Sequence, residues 1–175
     1  KMATTYEQHL KDIDIRLANE CQSAFDLLYD AKTEDDVWQA LFICNRGNRP
    51  DLLMNAICHH PLSQKTINEM IEYVWIDSEN VYHYCYEWDE VWCNYDNPYQ
   101  NKLIKRIFKQ PRKLYRVGNL DGKYQSWTFC KDVAKFFGIR ARREQDKVWH
   151  EEYFSAEQIV AIFNDRKEKE VIIRR

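Results

Sequence analysis

The sequence predicts an α+β chain in which a helical first part, residues 1–110, precedes a mixed sheet-and-helix part, residues 111–175. Three observations make that prediction. Apolar residues recur at three- and four-residue spacing before Pro111, and the period switches after it. All four prolines lie between Pro50 and Pro111, whereas three of the four glycines (118, 122 and 138) follow. The charge reverses as well: residues 1–110 hold 11 Lys/Arg and 18 Asp/Glu, and residues 111–175 hold 15 and 10. Pro111 is the expected seam.

The elements of the first part follow in order. Leu10, Ile13, Leu17 and Cys21 form one helical stripe, which Phe25 and Leu28 extend. Thr33 with Asp36 reads as a helix-opening cap, and Val37, Leu41 and Cys44 continue at helical spacing to a turn at Arg46–Pro50. Leu52–Cys58 is a short helix stopped by Pro61, and Ser63 caps the next, with Ile67, Met70, Ile71 and Val74 inside. Tyr82–Trp92 interleaves aromatic rings with Glu87, Asp89 and Glu90. Leu103, Ile104 and Ile107 mark a last helix before Pro111.

In the second part Lys113–Val117 reads as a strand, Gly118–Gly122 as a turn and Tyr124–Phe129 as a second strand or extended segment. Thr128 is expected to cap a helix whose Val133, Phe136 and Phe137 face inward, with Gly138 near its end. Lys147–Phe154 alternates as a strand. Ser155 with Gln158 predicts a capping box for a helix carrying Ile159, Ile162 and Phe163, and Glu170–Ile173 closes the chain as a strand. The expected order is strand, strand, helix, strand, helix, strand.

Composition narrows the functional classes. A length of 175 residues, 45% hydrophobic, supports a sizeable core, and a net charge of −2 excludes a generally basic nucleic-acid coat but not a local patch. No apolar run is long enough to cross a bilayer and no signal-peptide pattern opens the chain, so a cytoplasmic protein is expected; Lys1 ahead of Met2 is set aside as an expression remnant. Six cysteines without a C-x-x-C pair read as reduced thiols, and no metal site is expected. Neither glycine-rich phosphate-loop pattern occurs.

Three places after Pro111 carry chemistry. Arg116 ends the apolar strand Leu114-Tyr115-Arg116, where a guanidinium can fork onto phosphate oxygens. Ser126-Trp127-Thr128 sets two hydroxyls around an aromatic ring, with Ser126 on the strand face opposite Trp127. Glu168-Lys169-Glu170 enters the final strand, where period-two geometry puts both carboxylates on one face, about 7 Å apart. Taken singly, each has a bland account: an exposed strand-end arginine, a helix cap and a solvated charge run.

Taken together and in this order, Arg116, Ser126-Trp127-Thr128 and Glu168-Lys169-Glu170 resemble the Arg–Ser–Glu clade of ADP-ribosyltransferases. The stretches L-Y-R, S-W-T, D-V-A-K-F-F and I-V-A-I-F-N-D-R-K-E-K-E-V-I-I are similar to the Y-R-G, S-W-T, A-x-W-F-A and R-x-E-x-E-V motifs of bacterial and phage members. The likeness covers residues 111–174, with a weaker helical lead-in at Val74–Asn80. It implies a mixed β-sandwich core with flanking helices, and NAD as co-substrate in a cleft between two small sheets. It further implies that Arg116 grips a diphosphate or ribose of NAD, and that Ser126 fixes the last-strand carboxylate and the nicotinamide ribose. Glu170 would hold the ribose 2′-hydroxyl and stabilise the oxocarbenium-like sugar, and Glu168 would orient or deprotonate the acceptor. Val117, Gly118, Trp127 and Thr128 would line the NAD site, with Phe136 or Phe137 against the nicotinamide. Val117 stands where the family has glycine, and Gly118 comes one residue later.

The activity implied is transfer of ADP-ribose from NAD to a macromolecule. The acceptor would be protein, through arginine, or else an RNA or DNA base, and the setting that of a bacterial toxin or phage effector inside a host cell. NAD hydrolysis is the enzymatic alternative. A non-catalytic interaction module, with Tyr82–Trp92 as its binding face, is the alternative from another class; under the enzyme reading as well, the first 110 residues are candidates to recognise a target or inhibitor protein.

Overall fold

The computed structural model describes residues 2–77, 85–141, 147–164 and 169–175, with side chains in the first and fifth helices described from Arg16 and Trp88 onward. The chain is α+β and divides into two compact units, Lys1–Asp96 and Asn97–Arg175.

The first unit is helical: α1 Met2–Asp30, α2 Glu34–Ile43, α3 Arg49–His59, α4 Gln64–Asp77 and α5 Cys85–Cys93. Side-chain caps fix the starts of α2 and α4. Thr33 accepts from the Asp36 amide while the Asp36 carboxylate accepts from the Thr33 amide, closing the expected capping box. Ser63 Oγ accepts from the Thr66 amide at the start of α4. The Glu34 carboxylate accepts from the Ser63 amide and the Thr66 hydroxyl, so α2 and α4 share one anion. Leu41, Leu52, Leu53, Met70 and Ile71 fill the core. Trp75, Trp88 and Trp92 pack edge to face or tilted at centroid separations of 4.7–6.2 Å. Within the Tyr82–Trp92 stretch expected as an interaction face, Trp88 and Trp92 belong to the core, and the side chains of Tyr82, Tyr84, Tyr86 and Glu87 lie outside the described residues.

The second unit begins one helix before Pro111. Helix α6, Pro98–Ile107, is capped by Asn97 and buries Ile104 and, just past its end, Phe108 in the same cluster as Leu114, Trp127, Phe154, Val171 and Ile173. Five strands form one antiparallel sheet: β1 Arg112–Val117, β2 Tyr124–Thr128, β3 Trp149–Phe154, β4 Ile159–Phe163 and β5 Glu170–Arg174, in the order β3-β1-β2-β5-β4. Helix α7, Lys131–Arg140, packs on β1 and β2. Strand alternation gives the sheet two faces. Leu114 and Trp127 meet α6, while Val117 meets α7, where its methyl groups occupy the space a Cβ on Gly138 would need, 2.9 Å away.

Four expectations change here. Ile159–Phe163 is a strand: the box at Ser155 and Gln158 closes only a single 3-10 turn, Ala156–Gln158, and Ile159, Ala161, Ile162 and Phe163 then pair with β5, with Val160 at a register shift. Thr128 ends β2 rather than capping α7, whose N-cap is Cys130; the Thr128 hydroxyl accepts from the Cys130 amide at 3.1 Å. Phe136 and Phe137 are exposed, and α7 turns the small Ala134 and Gly138 toward the sheet because it lies too close for larger side chains. The two small sheets appear as one, although β1 and β2 are joined by a single residue pair, Tyr115 with Thr128.

At the sheet margin, Gln100 does the work of a missing strand. Its amide accepts from the Ile162 N–H and donates to the Ile162 carbonyl, both at 3.0 Å. Among the described residues, no helix is long and apolar enough to cross a membrane.

Candidate functional site

Arg116 is the buried cation among the described residues of the second unit. It leaves β1 from the face that holds Leu114 and is 7% exposed. Its Nε donates to the Asn119 carbonyl at 3.0 Å and its Nη1 to the Ser126 carbonyl at 2.6 Å, so the guanidinium bridges the turn after β1 and the main chain of β2. Burial, with Arg175 nearby, pushes its pKa down to about 10, against which the Glu170 carboxylate acts. It stays a cation at neutral pH.

The turn that clamps this cation is built around Gly118. Its φ of +139° is a conformation side chains rarely adopt, and a Cβ there would stand 3.4 Å from the Arg116 guanidinium. The Gly118 amide donates to the Val148 carbonyl, and its own carbonyl lies 2.8 Å from His150 Nε2, which must carry a proton to bond it. His150 is the direct β3 partner of Arg116. Asn119 Oδ1 is buried and has no hydrogen-bond partner among the described residues. A buried acceptor in that state costs about 1–3 kcal/mol, a cost native sites carry where something else supplies the donor.

Ser126 and Glu170 sit on the other face. Ser126 pairs with Ile172, and Glu170 pairs with Thr128 and Phe163, so Ser126, Thr128 and Glu170 share one side of the β2–β5 ladder. Both Ser126 and Glu170 are half-buried. The structure thus brings Ser126 and Glu170 to one face. It brings Arg116 to Ser126 through the main chain, and within the field of Glu170, while its side chain starts from the opposite face. Trp127 points to the α6 face, where its Nε1 donates to Gln125 Oε1 at 3.1 Å. Thr128 is buried against its own turn.

Glu168 lies outside the described residues. The expected one-face pairing of Glu168 with Glu170 therefore lies outside the described residues; of the segment that is described, Lys169 has φ 49° and strand β5 starts at Glu170. A left-handed lysine directly before the candidate acid is the one non-glycine positive φ among the described residues. Phe136 and Phe137 stand on α7 with their rings in solvent.

Sequence reasoning passed over Gln125, His150 and Asn119. Gln125 is 1% exposed and ties together the Leu120 and Gly122 carbonyls, the Trp127 indole and Arg175 Nε. Its signal was present: it stands two residues from Trp127, on the same inward strand face. Among the described residues, no group of three His, Cys, Asp or Glu side chains is placed to hold a metal ion.

Compared with protein-family models, characterised proteins and solved structures, the chain matches none of them.

Proposed function

We propose that this chain transfers ADP-ribose from NAD to a macromolecular acceptor. The observation that carries the reading is that three separated motif positions fall on the adjoining strands β1, β2 and β5: Arg116 bonds the Ser126 carbonyl from one sheet face, and Ser126 and Glu170 share the other. The single residue pair between β1 and β2 splits the sheet into a β3–β1 part and a β2–β5–β4 part. In an ADP-ribosyltransferase-like core that opening would be the NAD cleft.

The chemistry assigned to each residue follows. Arg116, bedded against Gly118, holds the diphosphate as a fixed cation. Asn119 Oδ1 supplies a waiting acceptor for a ribose hydroxyl or the nicotinamide amide. Glu170 faces the anomeric carbon as the C–N glycosidic bond breaks; nicotinamide leaves with the bonding electrons, and the carboxylate stabilises the cationic sugar. The acceptor nucleophile closes the new bond and gives up a proton, for which Glu168 is the assigned base. With water as the acceptor the same site is an NAD glycohydrolase. The setting the resemblance implies is a bacterial cell acted on by a toxin or phage effector.

Two observations favour a second reading, a non-catalytic module on a transferase scaffold. Two Arg116 donors are spent on main-chain carbonyls, and Val117 replaces the motif glycine. Transfer of label from radiolabelled NAD onto protein or RNA of a bacterial lysate separates the readings. The transferase reading expects label with the wild-type chain and none with Glu170→Gln. An unlabelled lysate with intact NAD supports the scaffold reading.

A further inference from the structure

The second unit carries a charge that the whole-chain total conceals. Residues 97–175 hold 19 Lys/Arg against 10 Asp/Glu, while residues 1–96 hold 7 against 18. The near-neutral sum is an acidic unit joined to a strongly basic one.

On the basic unit, aromatic rings and cations occur together where the sheet ends. Among the described residues, strand β3 pairs with β1 alone and ends the sheet. Trp149 is 37% and Tyr153 66% exposed, and each stands two strand positions from Glu151, on either side of it. Phe136 on α7 is 53% exposed. Each ring, or its direct neighbour, carries a cation: Lys113 Nζ lies 5.3 Å from the Tyr153 centroid, and Arg140 Cζ lies 5.4 Å from that of Phe136. Lys131 Nζ lies 5.2 Å from the Tyr115 ring, which packs 5.9 Å from Trp149. Glu151 pairs with both Lys113 and Lys131 at 3.4 Å and neutralises only one of the two.

We infer that this α7–β3 surface binds single-stranded nucleic acid. Exposed rings offer stacking faces to unpaired bases of any sequence, and flanking cations meet the phosphates. The exposed Ile139 and Val148 alone would suit a protein, but a surface of paired rings and cations on a unit with nine excess positive charges fits a polyanion with flat bases. The inference stands without the NAD site, since Trp149 and Tyr153 take no part in it. Where that reading also holds, and resting on it, the acceptor is a nucleic-acid base.

The test is fluorescence anisotropy of the full chain, without NAD, with labelled 12-mers of deoxythymidine and of uridine. Binding to either supports the inference, and the stronger of the two identifies the sugar. Four neutralised phosphates would weaken binding roughly 50-fold between 50 and 200 mM salt. Trp149→Ala and Tyr153→Ala are each expected to lose about fivefold or more. Should a ring variant misfold by circular dichroism, Lys135→Glu with Arg140→Glu on the outer side of α7 must flatten the salt dependence. No binding at tens of micromolar in 50 mM salt, ring variants that bind like the wild type, or capture of proteins but not oligonucleotides overturns it.

Discussion

Gln100 offers the sharpest test of how the sheet is finished. Replacing it by alanine removes both bonds to Ile162, each 3.0 Å long, from a residue only 7% exposed. At about 0.5–1.5 kcal/mol per bond, the loss is about 1–3 kcal/mol. A unit of this size shifts by roughly 4–8 °C per kcal/mol, so a thermal midpoint lower by about 10 °C is expected. The assay that isolates the effect is amide hydrogen exchange, because the Ile162 N–H has Gln100 Oε1 as its acceptor. Its protection should fall selectively in Gln100→Ala, by about 10-fold or more. Gln100→Glu keeps the acceptor for the Ile162 N–H and sets a carboxylate against the Ile162 carbonyl, so it should destabilise too while retaining more of that protection. An Ile162 amide as protected in Gln100→Ala as in the wild type would refute the reasoning.

The other predictions address the caps and the α7 contact. Gly138→Ala puts a methyl group 2.9 Å from Val117 Cγ1, so it should destabilise by about 1–2 kcal/mol in urea titration despite alanine's better helix propensity, with Val117→Ala in the same chain restoring the loss. Thr128→Val leaves the Cys130 amide without its acceptor and should cost about 1 kcal/mol by the same titration. Hydrogen bonds from the Ser63 amide and the Thr66 hydroxyl hold Glu34 below its ordinary 4.5. A lowered acid pKa means the unfolded chain binds the proton more readily. The contribution of Glu34 is therefore present above pH 4.5 and lost as pH falls through the folded value, and Glu34→Gln should make stability less dependent on pH between about 5 and 3.

How much of this was legible in the sequence depends on how local the cause is. Thr33 with Asp36, and Ser63, announced helix starts because a cap is satisfied within one turn. Strands β1, β2 and β5 were legible from alternation and β-branched runs. The box at Ser155 misled because it is equally local: it closes one turn and says nothing of what Ile159–Phe163 does once β5 and Gln100 offer it hydrogen bonds on both edges. Phe136 and Phe137 misled for the converse reason, since apolar identity predicts burial only where there is room, and Gly138 against Val117 leaves none. The seam at Pro111 followed composition, but Ile104 and Phe108 place α6 in the second unit's core. The motif residues of the candidate site were legible as a pattern; the bonds of Arg116 to the Asn119 and Ser126 carbonyls were not, because they depend on how the turn after β1 folds back and on the register of β2.

The central claim is that positions 116–119, 126 and 170 serve one dinucleotide. It is tested most directly by titrating NAD into isotopically labelled protein and following backbone amide shifts. The account predicts saturable perturbations at Gly118, Asn119, Ser126 and Glu170 together, at one common affinity. Amides at those four positions that stay unmoved at millimolar NAD, or that titrate at separate affinities, would contradict it.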